Sequence, residues 1–134
     1  MKRSILGCLA GLVTWIVVVS VIDRILRLTM QDYTAAERAI QFTPAMKFAR
    51  LLMAAVTSVA AGAVARRISH SSRWVPVIVG GIVLAAFLPL HIAIWSKLPT
   101  WYHLTFLLTI IPFVVLGAQL PASRDLTTRT PERA

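Results

Sequence analysis

The chain has one cysteine and five acidic residues in 134 positions. A lone thiol, Cys8, excludes an internal disulfide and any mechanism that cycles a cysteine pair. Charged residues make up 14% of the chain, against about a quarter in soluble domains, which excludes an ordinary water-soluble surface. Signatures of catalysis are missing too: there is no phosphate-binding glycine loop, no His-Glu-x-x-His and no serine set in a nucleophile turn. Low-complexity tracts and internal repeats are absent as well. Cys8 follows Ile5-Leu6-Gly7 in the manner of a lipoprotein cleavage box, but only Ser4 to Gly7 separate it from the basic start, too few for an apolar signal region.

What is present is apolar length. Hydrophobic residues make up 57% of the chain. A hydrocarbon core of ~30 Å needs about 20 apolar residues at the helical rise of ~1.5 Å. Four segments meet or approach that requirement, at about 5–22, 45–65, 75–95 and 103–120. The second is charge-free only from Leu51 to Ala65, and reaches full length if Lys47 and Arg50 extend towards water. Thr43-Pro44 marks its start, a capping hydroxyl followed by a proline where a missing N–H costs nothing, and Arg66-Arg67 closes it.

These patterns define an all-α integral membrane protein with four transmembrane helices in an up-down-up-down bundle over residues 1–120. Thr34-Ala-Ala-Glu37 matches a capping box and predicts a short surface helix over Ala35 to Gln41 in the first outer loop, with Tyr33, Ile40 and Phe42 as apolar contacts in the interface plane. Residues 121–134 form a polar tail without apolar periodicity, expected to be cytoplasmic and disordered. A basic start, an apolar stretch and Val18-x-Ser20 also fit a cleavable secretory signal, which would leave three spans.

The net charge of +9 suggests nucleic acid in a soluble chain, but here the basic residues flank apolar runs, so lipid is the partner and nucleic acid is not. With the N-terminus inside, the inner segments hold eight Lys and Arg and the outer ones six, the latter diluted by Asp23, Asp32 and Glu37. Basic loops stay cytoplasmic. Both termini are therefore expected in the cytoplasm of a bacterial-type inner membrane. Trp74 at one border, and Trp95, Trp101 and Tyr102 at the other, fit interfacial aromatic belts.

Helices in lipid associate through close packing and polar contacts. Small residues at four-residue spacing, Gly7 and Gly11, Ala54, Ser58 and Gly62, and Gly81 and Ala85, predict the packing faces. Lys47 and Arg50 continue the seam of the second span, and Asp23 ends the first on the same side, so an Asp23 pair with Arg50 or Lys47 is allowed. Pro89 and Pro112 each remove one helical hydrogen bond inside a span. His91 and His103 approach across the last hairpin, forming with Asp23, Lys47 and Arg50 a polar cluster at the outer face.

Three functional classes follow. The first is a non-enzymatic packing or accessory partner in a membrane assembly, with a second copy or another membrane protein as its neighbour and no cofactor. The second is a small oligomeric transporter or channel with an outer polar vestibule. The third is a redox subunit binding haem through His91 and His103. Complex formation, ion flux and a Soret band separate them.

Overall fold

The computed structural model describes residues 1–70 and 72–120, and the polar tail lies outside them. Five helices follow one another: α1 (Lys2–Thr29), α2 (Tyr33–Ala39), α3 (Pro44–Ser69), α4 (Trp74–Ala93) and α5 (Thr100–Gln119). Four of them, α1, α3, α4 and α5, are long and apolar enough to cross a membrane. The chain is an all-helical four-span bundle, up, down, up, down, with both described ends of the chain at one face and α2 at the other.

α1, α3 and α5 are longer than the apolar runs that signal them, whereas α4 ends at Ala93, two residues short of its run. α1 has 28 residues, about 42 Å at the helical rise, so it projects beyond a hydrocarbon core of ~30 Å. Hydropathy locates the part in lipid; the helix continues because nothing breaks it before Met30 and because Asp23 and Arg27 pair one turn apart. At the start of α3 the Thr43 hydroxyl accepts from the Met46 N–H at 3.3 Å, with Pro44 at the first helical position. α4 and α5 run through Pro89 and Pro112 without ending.

Connection lengths mislead about neighbours. α3 packs most extensively on α1 and α5, and less on α4, to which a short turn joins it. The α3–α5 pair is parallel, and glycine brings its backbones together. A Cβ on Gly62 would run into the Val114 carbonyl, and one on Gly117 into the Val59 carbonyl. Gly7 and Gly11 do the same for α1 on α3, where added Cβ atoms would lie 2.8 Å from the Ala65 oxygen and 2.9 Å from the Ala65 side chain respectively. Ala54 and Ser58 are buried on the same face of α3, and Ser58 accepts from the Trp15 indole N–H at 3.3 Å.

Gly81 and Ala85 depart from that pattern. A Cβ on Gly81 would meet nothing within 4 Å, and Ala85 is exposed. The neighbouring Gly80 takes the packing role instead, against Ile111 of α5 at 3.1 Å. Spacing alone identifies a face, and here that face points out of the bundle.

Candidate functional site at the loop end

The loop between α1 and α3 folds back over the bundle. Left-handed backbone at Asp32 (φ 61°) and Ile40 (φ 55°) brackets α2 and turns the chain at both ends. α2 starts at Tyr33 with Asp32 at its N-cap and no side-chain capping bond, so Thr34-x-x-Glu37 does not form a capping box. Glu37 is drawn instead to two arginines, with Oε2 2.6 Å from Arg27 Nη2 and Oε1 3.4 Å from Arg50 Nη1. Charge-assisted pairing outcompetes a local cap that water can replace. Nor does α2 lay its aromatics on a membrane: Tyr33 is fully buried, and Phe42 packs with Met46, Leu98 and Tyr102 beneath the loop.

Arg50 is the centre of this arrangement. Its Nη1 donates to the Tyr33 hydroxyl at 2.9 Å and to Glu37, its Nε donates to the Tyr102 hydroxyl at 3.4 Å, and its guanidinium lies 4.7 Å from the centre of the Phe42 ring. A planar fork of five donors suits such divergent acceptors, as a lysine ammonium does not. Burial pushes the Tyr33 hydroxyl above the usual phenol range, against the opposing pull of the Arg50 guanidinium, so it stays protonated. Asp23 pairs with Arg27 at 2.6 Å, not with Arg50 or Lys47, because Arg27 lies one turn away on the same helix. Lys47 joins no ion pair among the described residues.

Of the interfacial aromatics, Trp74, Trp95 and Trp101 are exposed. Tyr102 is not: it is 3% exposed where Trp101 is 44% exposed. Its neighbour in sequence points to lipid and it points inward, where its hydroxyl finds Arg50.

Behind Tyr102 the two histidines meet. His91 Nδ1 and His103 Nδ1 are 2.8 Å apart, both rings are buried, and they cross at 84°. Phe106 stacks on His91 and Trp95 on His103, with ring centres 4.5 and 4.7 Å apart. A tetrahedral metal held by both Nδ1 atoms through bonds of about 2.0 Å would set them roughly 3.3 Å apart. The 2.8 Å contact is a hydrogen bond, one Nδ1 donating and the other accepting, and the crossed rings do not flank a slot for haem. Among the described residues no three His, Cys, Asp or Glu side chains gather to hold a metal.

Between α1 and the other spans at this end lies a cleft of about 230 Å³. Trp15, Met53, Phe87 and Phe106 form its apolar floor, and Ser20, Asp23 and Arg50 its rim. Toward the opposite face the interior closes on Ala61, Ala65, Val79, Ile110 and Val114, all buried and apolar. The polar groups of the loop end therefore bind one another and do not continue as a path through one copy.

Reading along the sequence brings Arg50, His91 and His103 to this end, but gives Arg27 no part, takes Tyr33 for an apolar interface contact and misses the inward role of Tyr102. Arg27 carries a local signal, its four-residue spacing from Asp23. Tyr33 and Tyr102 carry only the general one that a buried phenol seeks a partner.

Fold and site together define a small multi-pass membrane protein whose loop end is clamped by a half-buried arginine and a buried histidine pair. No family model matches the chain, nor does any curated protein or solved structure.

Proposed function

We propose that this protein is a non-enzymatic accessory subunit that packs against a further membrane-spanning helix in a bacterial-type inner membrane. The observation that carries the reading is the Gly81–Ala85 face of α4. It is a small-residue surface of the kind that admits a close helix approach, and no helix among the described residues covers it. Pro89 adds a polar incentive, because it offers no N–H to the Ala85 carbonyl four residues back. An acceptor without its helical donor on a lipid-facing surface favours a neighbour that supplies one. The internal pairing of Arg50, Glu37 and the histidines fits a structural role for the loop end.

Gly81→Leu tests the reading. The bundle has space at this position, so the variant should fold and melt like the wild type. Light scattering of the purified protein, and its recovery with neighbours from native membranes, should show a complex with wild type that Gly81→Leu loses. An unchanged complex in Gly81→Leu removes the reading; the mass of the wild-type complex tells a second copy from a different partner. The excess of basic residues on the terminal segments together with the α3–α4 turn supports cytoplasmic termini, and activity from a reporter fused after Ala134 that works only outside the cytoplasm would refute that orientation.

The loop-end cleft favours a second reading, a small oligomeric transporter or channel. With an apolar interior in each copy, the passage would run between copies. Flux through reconstituted vesicles that Arg50→Ala abolishes would support it, and vesicles as tight as protein-free ones would exclude it.

A further inference from the structure

A second hollow lies at the opposite end of the bundle, where α3 ends and α4 begins. It measures about 400 Å³ and is lined by Arg66, Arg73, Pro76, Val115, Ala118 and Gln119 from α3, α5 and the start of α4. Its composition is one-sided. Two guanidinium groups and a primary amide supply donors, and no acidic residue among those described lines it. The three acidic residues among those described, Asp23, Asp32 and Glu37, belong to the other end of the molecule.

Two features show that the hollow has donor capacity to spare. Arg66 Nη1 is shielded from solvent and has no hydrogen-bond partner among the described residues. A buried charged donor left unpaired costs more than most polar groups, so the position calls for an acceptor. α4 also begins beside the hollow with Arg73 at its N-cap, a residue that has no side-chain oxygen to cap with. Its first N–H groups add a partial positive charge at the same place.

We propose that this hollow binds the phosphodiester headgroup of an anionic phospholipid. The guanidinium fork matches phosphate oxygens in shape and charge, and basic pockets between membrane helices are suited to anionic headgroups. The walls distinguish a lipid from a free ion. Pro76, Val115 and Ala118 are apolar, and the adjoining Trp74 is 62% exposed with its ring 5.6 Å from the Arg73 guanidinium. An exposed tryptophan at the start of a span marks the level of the headgroups. A phosphate tethered to acyl chains meets both the donors and the walls, whereas a hydrated phosphate ion meets the donors alone.

The test uses the purified full-length chain in detergent, titrated with phosphatidylglycerol and, for comparison, zwitterionic phosphatidylcholine, with bound lipid counted by native mass spectrometry. Phosphatidylglycerol should be retained preferentially, and R66Q and R73Q should each weaken that retention about fivefold. R67Q is the control: Arg67 lies on the same helix end, is exposed and does not line the hollow, so its loss removes the same charge and should leave retention nearly unchanged. Arg73 is itself exposed, so R73Q remains informative even if R66Q disturbs folding. Equal weakening by R67Q would mean unspecific attraction to a basic surface and would overturn the proposal. So would displacement of the lipid by equimolar inorganic phosphate, which would identify an ion site. Retention seen only after removal of residues 121–134 would place a carboxylate of the tail, Asp125 or Glu132, in the hollow and would equally overturn it.

Discussion

His91 and His103 face one another through their Nδ1 atoms at 2.8 Å, from helices α4 and α5, in a site sealed by Phe106 and Trp95. The bond ties the loop ends of two helices that a six-residue turn joins, and it leaves the rings unequal. His103 Nε2 is buried with no hydrogen-bond partner among the described residues.

That inequality predicts the outcome of removing either ring. His91→Leu strands His103 with both nitrogens unpaired, whereas His103→Leu strands one nitrogen of His91 and removes an existing orphan. Leaving a buried polar group unsatisfied costs about 1–3 kcal/mol, and replacing both partners by apolar groups can be nearly neutral. The expected order of stability loss is His91→Leu, then His103→Leu, with the double variant losing less than the two single losses added together. Unfolding of all four proteins in one detergent measures it; additive losses would show that the two rings do not interact.

Arg50 should prove less replaceable than its charge suggests. Lysine keeps the charge but cannot reach Tyr33, Tyr102 and Glu37 together, so Arg50→Lys is expected to lose about 2 kcal/mol. Tyr33→Phe removes one acceptor and should lose about 1 kcal/mol. Arg27→Gln, at a more exposed ion pair, should lose the least of the three. Melting temperatures of the three variants rank them, and a lysine variant as stable as wild type would reduce the cluster to simple charge pairing.

Glycine gives the widest contrast. Gly62 faces the Val114 backbone, so Gly62→Ala forces α3 and α5 apart, and a cost of about 3 kcal/mol or more is expected, at the upper end of overpacking. Gly81→Ala meets open space, and the better helix propensity of alanine makes it neutral to stabilising by about 1 kcal/mol. Both are small residues in apolar helices, so equal effects on thermal unfolding would contradict the packing described.

The same contrast shows where sequence reading stops. Four runs of near-uniform hydropathy announce four spans, because lipid imposes their length whatever their partners. Spacing marks Gly7, Gly11, Ala54, Ser58 and Gly62 as a face, and marks Gly81 and Ala85 equally; which faces meet depends on the arrangement of all four helices. Trp101 and Tyr102 are both amphipathic aromatics at one helix start, and only their angular position on α5 separates lipid from core. The histidine pair could be located from the hairpin, but its direct contact required the crossing of α4 and α5. Glu37 was misread for a different reason: a local motif competed with two distant cations and lost.

That competition can be measured at two threonines. Thr43 caps α3 through its hydroxyl, so Thr43→Ala should cost about 1 kcal/mol. Thr34 lies inside α2, one residue after its first, and caps nothing. The start of α2 is set instead by Tyr33, whose burial beneath the loop and bond to Arg50 hold the first turn in place. Thr34→Ala should therefore change stability by less than about 0.5 kcal/mol, as an ordinary surface substitution does, while Tyr33→Phe loosens the loop. Protease cleavage between Gln31 and Thr43, followed in native protein and in the three variants, reads the loop directly. Cleavage accelerated by Tyr33→Phe and not by Thr34→Ala is the expected result. The reverse would restore the capping box and separate α2 from the arginine beneath it.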